Sequence, residues 1–229
     1  MRHFVRKALG RVSFYVKELC LVHIAKNEHA ILVRKWYRDT ANIDFRFDQA
    51  LNSNSIVMDV GGYLGDWSSE INERYHPVLY VYEPVPEFFD SLELRFSRYK
   101  NVHLKKYGLS GNSEIMPISI DADGSSLFGG KSKTIKISIV DVIDEMRQEN
   151  INEVDIIKIN IEGAEYDLLQ RIIDSGLTSK FKVLQIQFHN FVVDAIVRRD
   201  NIRSALALTH QLKYDYPFIW EEWVRRDGE

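Results

Sequence analysis

An apolar run, Ser55-Ile-Val-Met-Asp-Val60, breaks into a glycine cluster, Asp59-Val-Gly-Gly-Tyr-Leu-Gly65. A second run, Val78-Leu-Tyr-Val-Tyr82, ends in Glu83, 24 residues beyond Asp59. Short, continuous apolar runs of this kind read as strands covered on both faces, which places them in a mainly parallel sheet. In such sheets ligands bind beyond the carboxyl ends of the strands, where the connections leave in opposite directions. Gly61 and Gly62 allow backbone torsions and a close ligand approach that a Cβ would block, and Gly65 lets the next helix pack tightly. A carboxylate at the end of the second strand can accept both hydroxyls of a ribose. Turn and acid together predict a ribose-bearing cofactor.

The rest of the chain extends the alternation. Helices are expected over residues 66–74, 86–99, 140–149, 164–175 and 190–211, with strands over 102–106, 155–161, 182–188 and, aromatic-rich, 214–225. Residues 113–138 read as hairpin material interrupted by Asp121-Ala-Asp-Gly-Ser-Ser126 and Gly129-Gly130. Strands alternating with helices imply an α/β sandwich. Before it, residues 3–38 read as helix, with Gly10 weakening or dividing it. This gives a helical extension over residues 1–50 and one domain over residues 51–229.

Charge is uneven. Residues 1–37 carry eight Lys and Arg against Glu18 and Glu28, a net of +6, which leaves −9 on the remainder of a chain whose formal charge is −3. A basic arm on an acidic body suits a solvated helical extension or peripheral contact with an anionic membrane surface. The acidic body argues against a nucleic-acid partner. A single cysteine, Cys20, precludes an intramolecular disulfide and a Cys-rich zinc site, and fits a reducing, cytoplasmic setting. No signal peptide or apolar run of membrane-spanning length is read, and no metal ligands are assigned.

Other nucleotide motifs fail on spacing. A dinucleotide fingerprint ending at Gly62 and Gly65 needs glycine at position 60, which is Val60. Gly130-Lys131-Ser132 lacks the glycine that a phosphate loop needs at Ser125, and Gly108-Leu-Ser110-Gly111 misses the nucleophile-elbow spacing at Asn112. Asp59 beside the turn would repel a pyrophosphate and instead suits an amine-bearing ligand such as S-adenosylmethionine.

The chain resembles the FkbM-type S-adenosylmethionine-dependent methyltransferases. The resemblance rests on Asp59-Val-Gly-Gly-Tyr-Leu-Gly65, Tyr82-Glu-Pro84, Gly108-Leu-Ser110, Val140-Asp141-Val142, Asp155-Ile-Ile-Lys-Ile-Asn-Ile-Glu-Gly-Ala-Glu165 and Gln187-Phe-His189. It covers roughly residues 55–190. It implies a class I methyltransferase fold, Rossmann-like, with seven strands, the last antiparallel. It also implies O-methylation of a sugar or other hydroxyl in a glycan, polysaccharide or secondary metabolite. Carried onto these motifs, cofactor contacts fall at Asp59, Gly61, Gly62, Gly65, Glu83, Pro84, Leu109 and Ser110. The family usually has Asp where this chain has Asn160, and an amide cannot act as a general base.

On the acceptor side, period-two alternation puts Lys158, Asn160 and Glu162 on one side of their strand. Asn160 and Glu162 are pocket candidates, and Lys158 serves either the acceptor or a salt bridge with a nearby carboxylate. His189 follows the next strand. It is the expected base, because histidine titrates near neutrality and can take an alcohol's proton; a structural histidine is the rival reading. Glu162 is the alternative base, or a tie for the Gly163 turn. Trp220 belongs to core packing or stacks on a sugar ring at the acceptor site. Two other functions compete on this architecture: a NAD or nucleotide-sugar enzyme, and a binding module that has lost its chemistry.

Overall fold

The computed structural model describes residues 28–42, 44–120 and 133–226. Seven strands form the main sheet: β1 (Ile56–Val60), β2 (Val78–Tyr82), β3 (Val102–Lys105), β7 (Val154–Ile159), β8 (Phe181–Ile186), β9 (His210–Tyr216) and β10 (Trp220–Arg225). Their order is β3-β2-β1-β7-β8-β10-β9. The first five run parallel, and β10 is antiparallel to both neighbours. The helices are α1 (Glu28–Asp39), α2 (Asp66–Tyr75), α3 (Pro86–Phe96), α4 (Val142–Gln148), α5 (Glu165–Asp174) and α6 (Ala195–Leu206). A small second sheet joins β4 (Gly108–Ser110), β6 (Lys133–Asp141) and β5 (Glu114–Ile120) in that order. This is the class I methyltransferase architecture, with the last strand as its antiparallel member.

Strand alternation sorts the core into two layers. Met58, Val60, Tyr80, Tyr82, Ile157, Ile159, Leu184 and Ile186 bury one face against Val142, Ile143, Leu168, Leu169 and Ile202 of α4, α5 and α6. Val57, Leu79, Val81 and Ile156 bury the other against Trp67, Ile71, Leu92 and Phe96 of α2 and α3. α1 covers the far end of the sheet, where Trp36 packs edge-on to Tyr216 at 4.9 Å.

Several expected boundaries move. β7 stops at Ile159, so Asn160 and Glu162 lie beyond the strand, Glu162 on the turn that follows. Only residues 195–206 of the expected 190–211 helix are helical, because the chain re-enters the sheet at His210. The aromatic tail folds as a hairpin of β9 and β10, and Gly108–Ser110 forms a strand in the second sheet. Of the helix expected over residues 3–38, the described part is helical from Glu28; residues 3–27, with Gly10 and Cys20, and residues 121–130 lie outside the described residues.

Candidate active site

The order of the main sheet reverses between β1 and β7: successive strands run outward from β1 through β2 to β3 on one side and from β7 to β8 on the other. Register sets Asp59 beside Lys158 at this switch point. Lys158 Nζ donates to Asp59 Oδ1 (2.8 Å) and to the Gly61 carbonyl (2.7 Å), while Ser68 Oγ donates to Asp59 Oδ2 (2.5 Å). Asp59 is wholly buried and Lys158 nearly so. Asp59 therefore meets its own cation, and its carboxylate braces the turn instead of facing a ligand amine. Of the two roles expected for Lys158, the geometry shows the salt bridge, with Nζ 2.8 Å from the Asp59 carboxylate.

The glycines are dictated by packing. Gly61 adopts φ +89°, and a Cβ there would lie 2.0 Å from the Asn160 carbonyl oxygen. At Gly62 it would lie 2.4 Å from Val81 Cγ1. Both backbone N–H groups donate to the Tyr82 carbonyl at 3.0 Å, which ties the turn to the end of β2. Glu83, directly after, accepts from Tyr63 N–H through Oε2 (2.8 Å) and from Val85 N–H through Oε1 (2.9 Å). Burial pushes its carboxyl above the ordinary glutamate range, against the pull of those two N–H groups. An ionised carboxylate has about four acceptor positions, so two remain for ribose hydroxyls. Pro84 abuts Gly108, and Leu109 and Ser110 are buried beside it. Ser110 pairs in register with Asp141, which caps α4 through the Ile143 and Asp144 N–H groups and binds Arg171 at 2.6 Å. Of the residues expected to hold the cofactor, Gly61, Gly62 and Glu83 follow the ends of β1 and β2, Pro84 abuts the second sheet at Gly108, and Asp59 is taken up by Lys158; a buried carboxylate beside a tight turn fits an adenosyl ribose.

The acceptor side differs more. Backbone N–H of Asn160 donates to the Val60 carbonyl (3.0 Å), which seals the gap between β1 and β7. Glu162 takes φ 51° and is 79% exposed, so it ties nothing down. Glu165 holds the turn. Fully buried at the start of α5, it accepts from Gly163 N–H (2.7 Å) and His189 N–H (2.8 Å), and its Oε1 lies 3.1 Å from His189 Nδ1. His189 Nε2 points the other way, 3.7 Å from Glu162 Oε1. Burial disfavours the imidazolium, but the hydrogen bond and charge of Glu165 and the charge of Glu162 outweigh it and raise the His189 pKa. Glu165 is absent from the residues expected at the site; an acid in the first turn of a helix, two residues after a glycine, is the sequence signal that could have found it. Trp220 is buried with Trp36, Tyr216 and Ile219, and the Arg46 guanidinium lies 5.0 Å over its ring. That is core packing. Among the described residues no three His, Cys, Asp or Glu side chains converge as metal ligands would, and no helix is long and apolar enough to cross a membrane.

The sequence profile described as the methyltransferase FkbM domain matches residues 59–218. Among solved structures, the chain is similar to a Clostridium thermocellum protein described as a candidate rRNA methylase. The two are 7% identical with a TM-score of 0.51, over 78% of this chain and 90% of that one. An rRNA methylase from Streptococcus thermophilus is 12% identical with a TM-score of 0.49, over 77% and 90% of the two chains. Aeropyrum pernix fibrillarin, solved with natively bound S-adenosyl-L-methionine, is 8% identical with a TM-score of 0.42, over 76% and 67%. At such identities the first of these speaks to fold alone. No curated protein sequence matches the chain significantly.

Proposed function

Since the chain belongs to the FkbM methyltransferase family and is thereby an S-adenosylmethionine-dependent methyltransferase, we propose that it methylates a hydroxyl oxygen on a sugar of a glycan, polysaccharide or secondary metabolite. The observation that carries this reading is the Glu165–His189 pair beside the cofactor edge. A neutral alcohol is a poor nucleophile and needs a base as the ether forms. With Nδ1–H directed to Glu165, the His189 Nε2 lone pair faces outward and can take that proton.

The bound cofactor supplies an electrophilic methyl group on a sulfonium. Glu83 holds the ribose, with Gly61, Gly62 and the adjoining Pro84, Leu109 and Ser110 shaping the cleft around it. When bound, that methyl group would be the electrophile for the acceptor hydroxyl, and His189 Nε2 would take the hydroxyl proton as the ether forms. Alignment does much of the work. Asn160 has no proton to trade and Glu162 is solvated, so both belong to the rim, where Glu162 helps hold the imidazolium once formed.

The single cysteine fits a cytoplasmic setting, and the basic residues 1–37 support contact with an anionic membrane surface by an extension to the catalytic domain. The test is transfer of labelled methyl from S-adenosylmethionine to free glycosides, with ribosomal RNA as a parallel acceptor because structural neighbours carry that description. The expected product is an O-methyl ether on the sugar. Label only on RNA, or cofactor binding without any transfer, would overturn the reading; a net −9 beyond residue 37 disfavours the RNA outcome.

A further inference from the structure

Immediately beyond His189, four large apolar side chains stand in solvent within seven residues. Phe191 is 65% exposed, Val193 81%, Ile196 66% and Val197 59%. Side chains of this size are stabilised by leaving water, so a cluster left exposed marks a surface that something covers in use. Core packing does not explain it. The face of α6 turned inward carries Ala195, Arg199, Ile202 and Leu206, so a cation is buried while Ile196 and Val197 face out. Only Asp194 is ionisable between Phe191 and Val197.

The strip is continuous with the site. The Phe191 ring lies 5.3 Å from the His189 imidazole at an interplanar angle of 47°. Phe191 and Val192 also wall the Gly163 turn, where a Cβ would meet Val192 Cγ2 at 2.8 Å and Phe191 Cε2 at 3.4 Å. Apolar surface therefore begins at the imidazole with Phe191, and the exposed Val193, Ile196 and Val197 follow it in the chain up to the first turn of α6. A protein partner or second copy seated on Phe191 would crowd the imidazole that this ring adjoins. The acceptor itself is the occupant that both features allow.

We propose that the acceptor is an amphiphile, with its hydroxyl-bearing head at His189 and a hydrocarbon portion lying along Phe191, Val193, Ile196 and Val197. This rests on the reading of His189 as the acceptor-side base.

The test measures binding of methyl and octyl β-glucoside, below micelle formation, to the full chain saturated with S-adenosylhomocysteine. Wild type and the double variant Val193→Ser, Ile196→Ser are compared; neither residue belongs to the catalytic machinery. At ~0.8 kcal/mol per buried methylene, even a partly covered octyl chain should bind about tenfold or more tightly than methyl. The double variant should lose that preference while keeping its S-adenosylhomocysteine affinity. Equal affinity for the two glucosides in wild type, or a preference that survives the double substitution, would overturn the proposal. So would binding of wild type to neutral phosphatidylcholine vesicles without any octyl preference, which would make the strip a membrane surface. A chain-length preference that persists in His189→Ala supports the strip by itself. Such a preference without methyl transfer by wild type counts against O-methylation and leaves the strip standing.

Discussion

Glu165 Oε1 accepts the backbone N–H of His189 at 2.8 Å and lies 3.1 Å from its ring Nδ1, so one buried carboxylate fixes both the chain and the imidazole. Burial alone would lower the His189 pKa; Glu165, followed by Glu162, raises it. Proton transfer needs the neutral ring, so turnover should fall as pH drops through a value above that of an ordinary histidine. Glu165→Gln removes the main raising influence and leaves burial, so the acid limb of the pH–rate profile should move to lower pH. kcat should fall about tenfold or more with the KM for cofactor little changed, and His189→Ala should lower turnover by roughly 10²-fold. A Glu165→Gln protein with a lower melting temperature but an unmoved limb would reduce Glu165 to a structural role.

The Asp59–Lys158 pair joins β1 to β7 beneath the glycine turn. Lys158→Met leaves a buried carboxylate with only Ser68 as donor, and breaking a buried pair in this way costs about 3–5 kcal/mol. Adding Asp59→Asn should recover much of the loss, because the uncompensated charge is gone. Urea unfolding midpoints measure both. A single variant as stable as wild type would contradict the burial of that charge.

Glu83 accepts two backbone N–H groups with separate oxygens. The glutamine side chain has one acceptor oxygen, so Glu83→Gln must forfeit one of these contacts and the charge offered to the ribose. S-adenosylhomocysteine affinity should drop about tenfold or more, since charge-assisted hydrogen bonds are worth ~1.5–3 kcal/mol each. Burial holds the wild-type carboxyl above the ordinary glutamate range. Binding should therefore weaken on acidification earlier than an ordinary glutamate would allow, and titration calorimetry should find no such decline in the variant.

His210 is fully buried, with Nε2 2.7 Å from the Phe181 carbonyl and Nδ1 2.8 Å from Thr209 Oγ1. The neutral ring satisfies both, donating from Nε2 and accepting at Nδ1. Burial lowers its pKa, only partly offset by the Phe181 hydrogen bond. Between the folded value and the unfolded one of about 6.5 the unfolded chain binds the extra proton, so this group's stability is lost as pH falls through that window. His189 titrates in the opposite sense, which makes the difference between wild type and variant the useful quantity. His210→Gln should flatten the decline in melting temperature between neutral pH and about pH 5.5. An unchanged slope would remove His210 as its source.

The strands were legible where both faces are buried. Ile56–Val60, Val78–Tyr82 and Val154–Ile159 are continuous apolar runs, and the two-layer core follows from their alternation. β9 was not, because His210-Gln-Leu-Lys-Tyr-Asp-Tyr216 is an edge strand with exposed polar positions whose composition reads equally as helix or loop. The site was legible as a neighbourhood but not in its pairings. Period-two counting carried Glu162 onto a strand that ends at Ile159, while positive φ at Glu162 and Gly163 turns the chain so that Glu165 reaches His189. No periodicity announces a glutamate in the left-handed region. Similarly, only the register of β1 against β7 decides that Lys158 belongs to Asp59.

A crystal structure of the chain with S-adenosylhomocysteine would show whether Glu83 holds the ribose and which way the sulfur points. The ribose hydroxyls should lie on the Glu83 carboxylate, the ligand across the ends of β1 and β2, and its sulfur on the side of His189 Nε2. A ligand bound with its ribose away from Glu83, or with its sulfur directed away from His189, would contradict this placement.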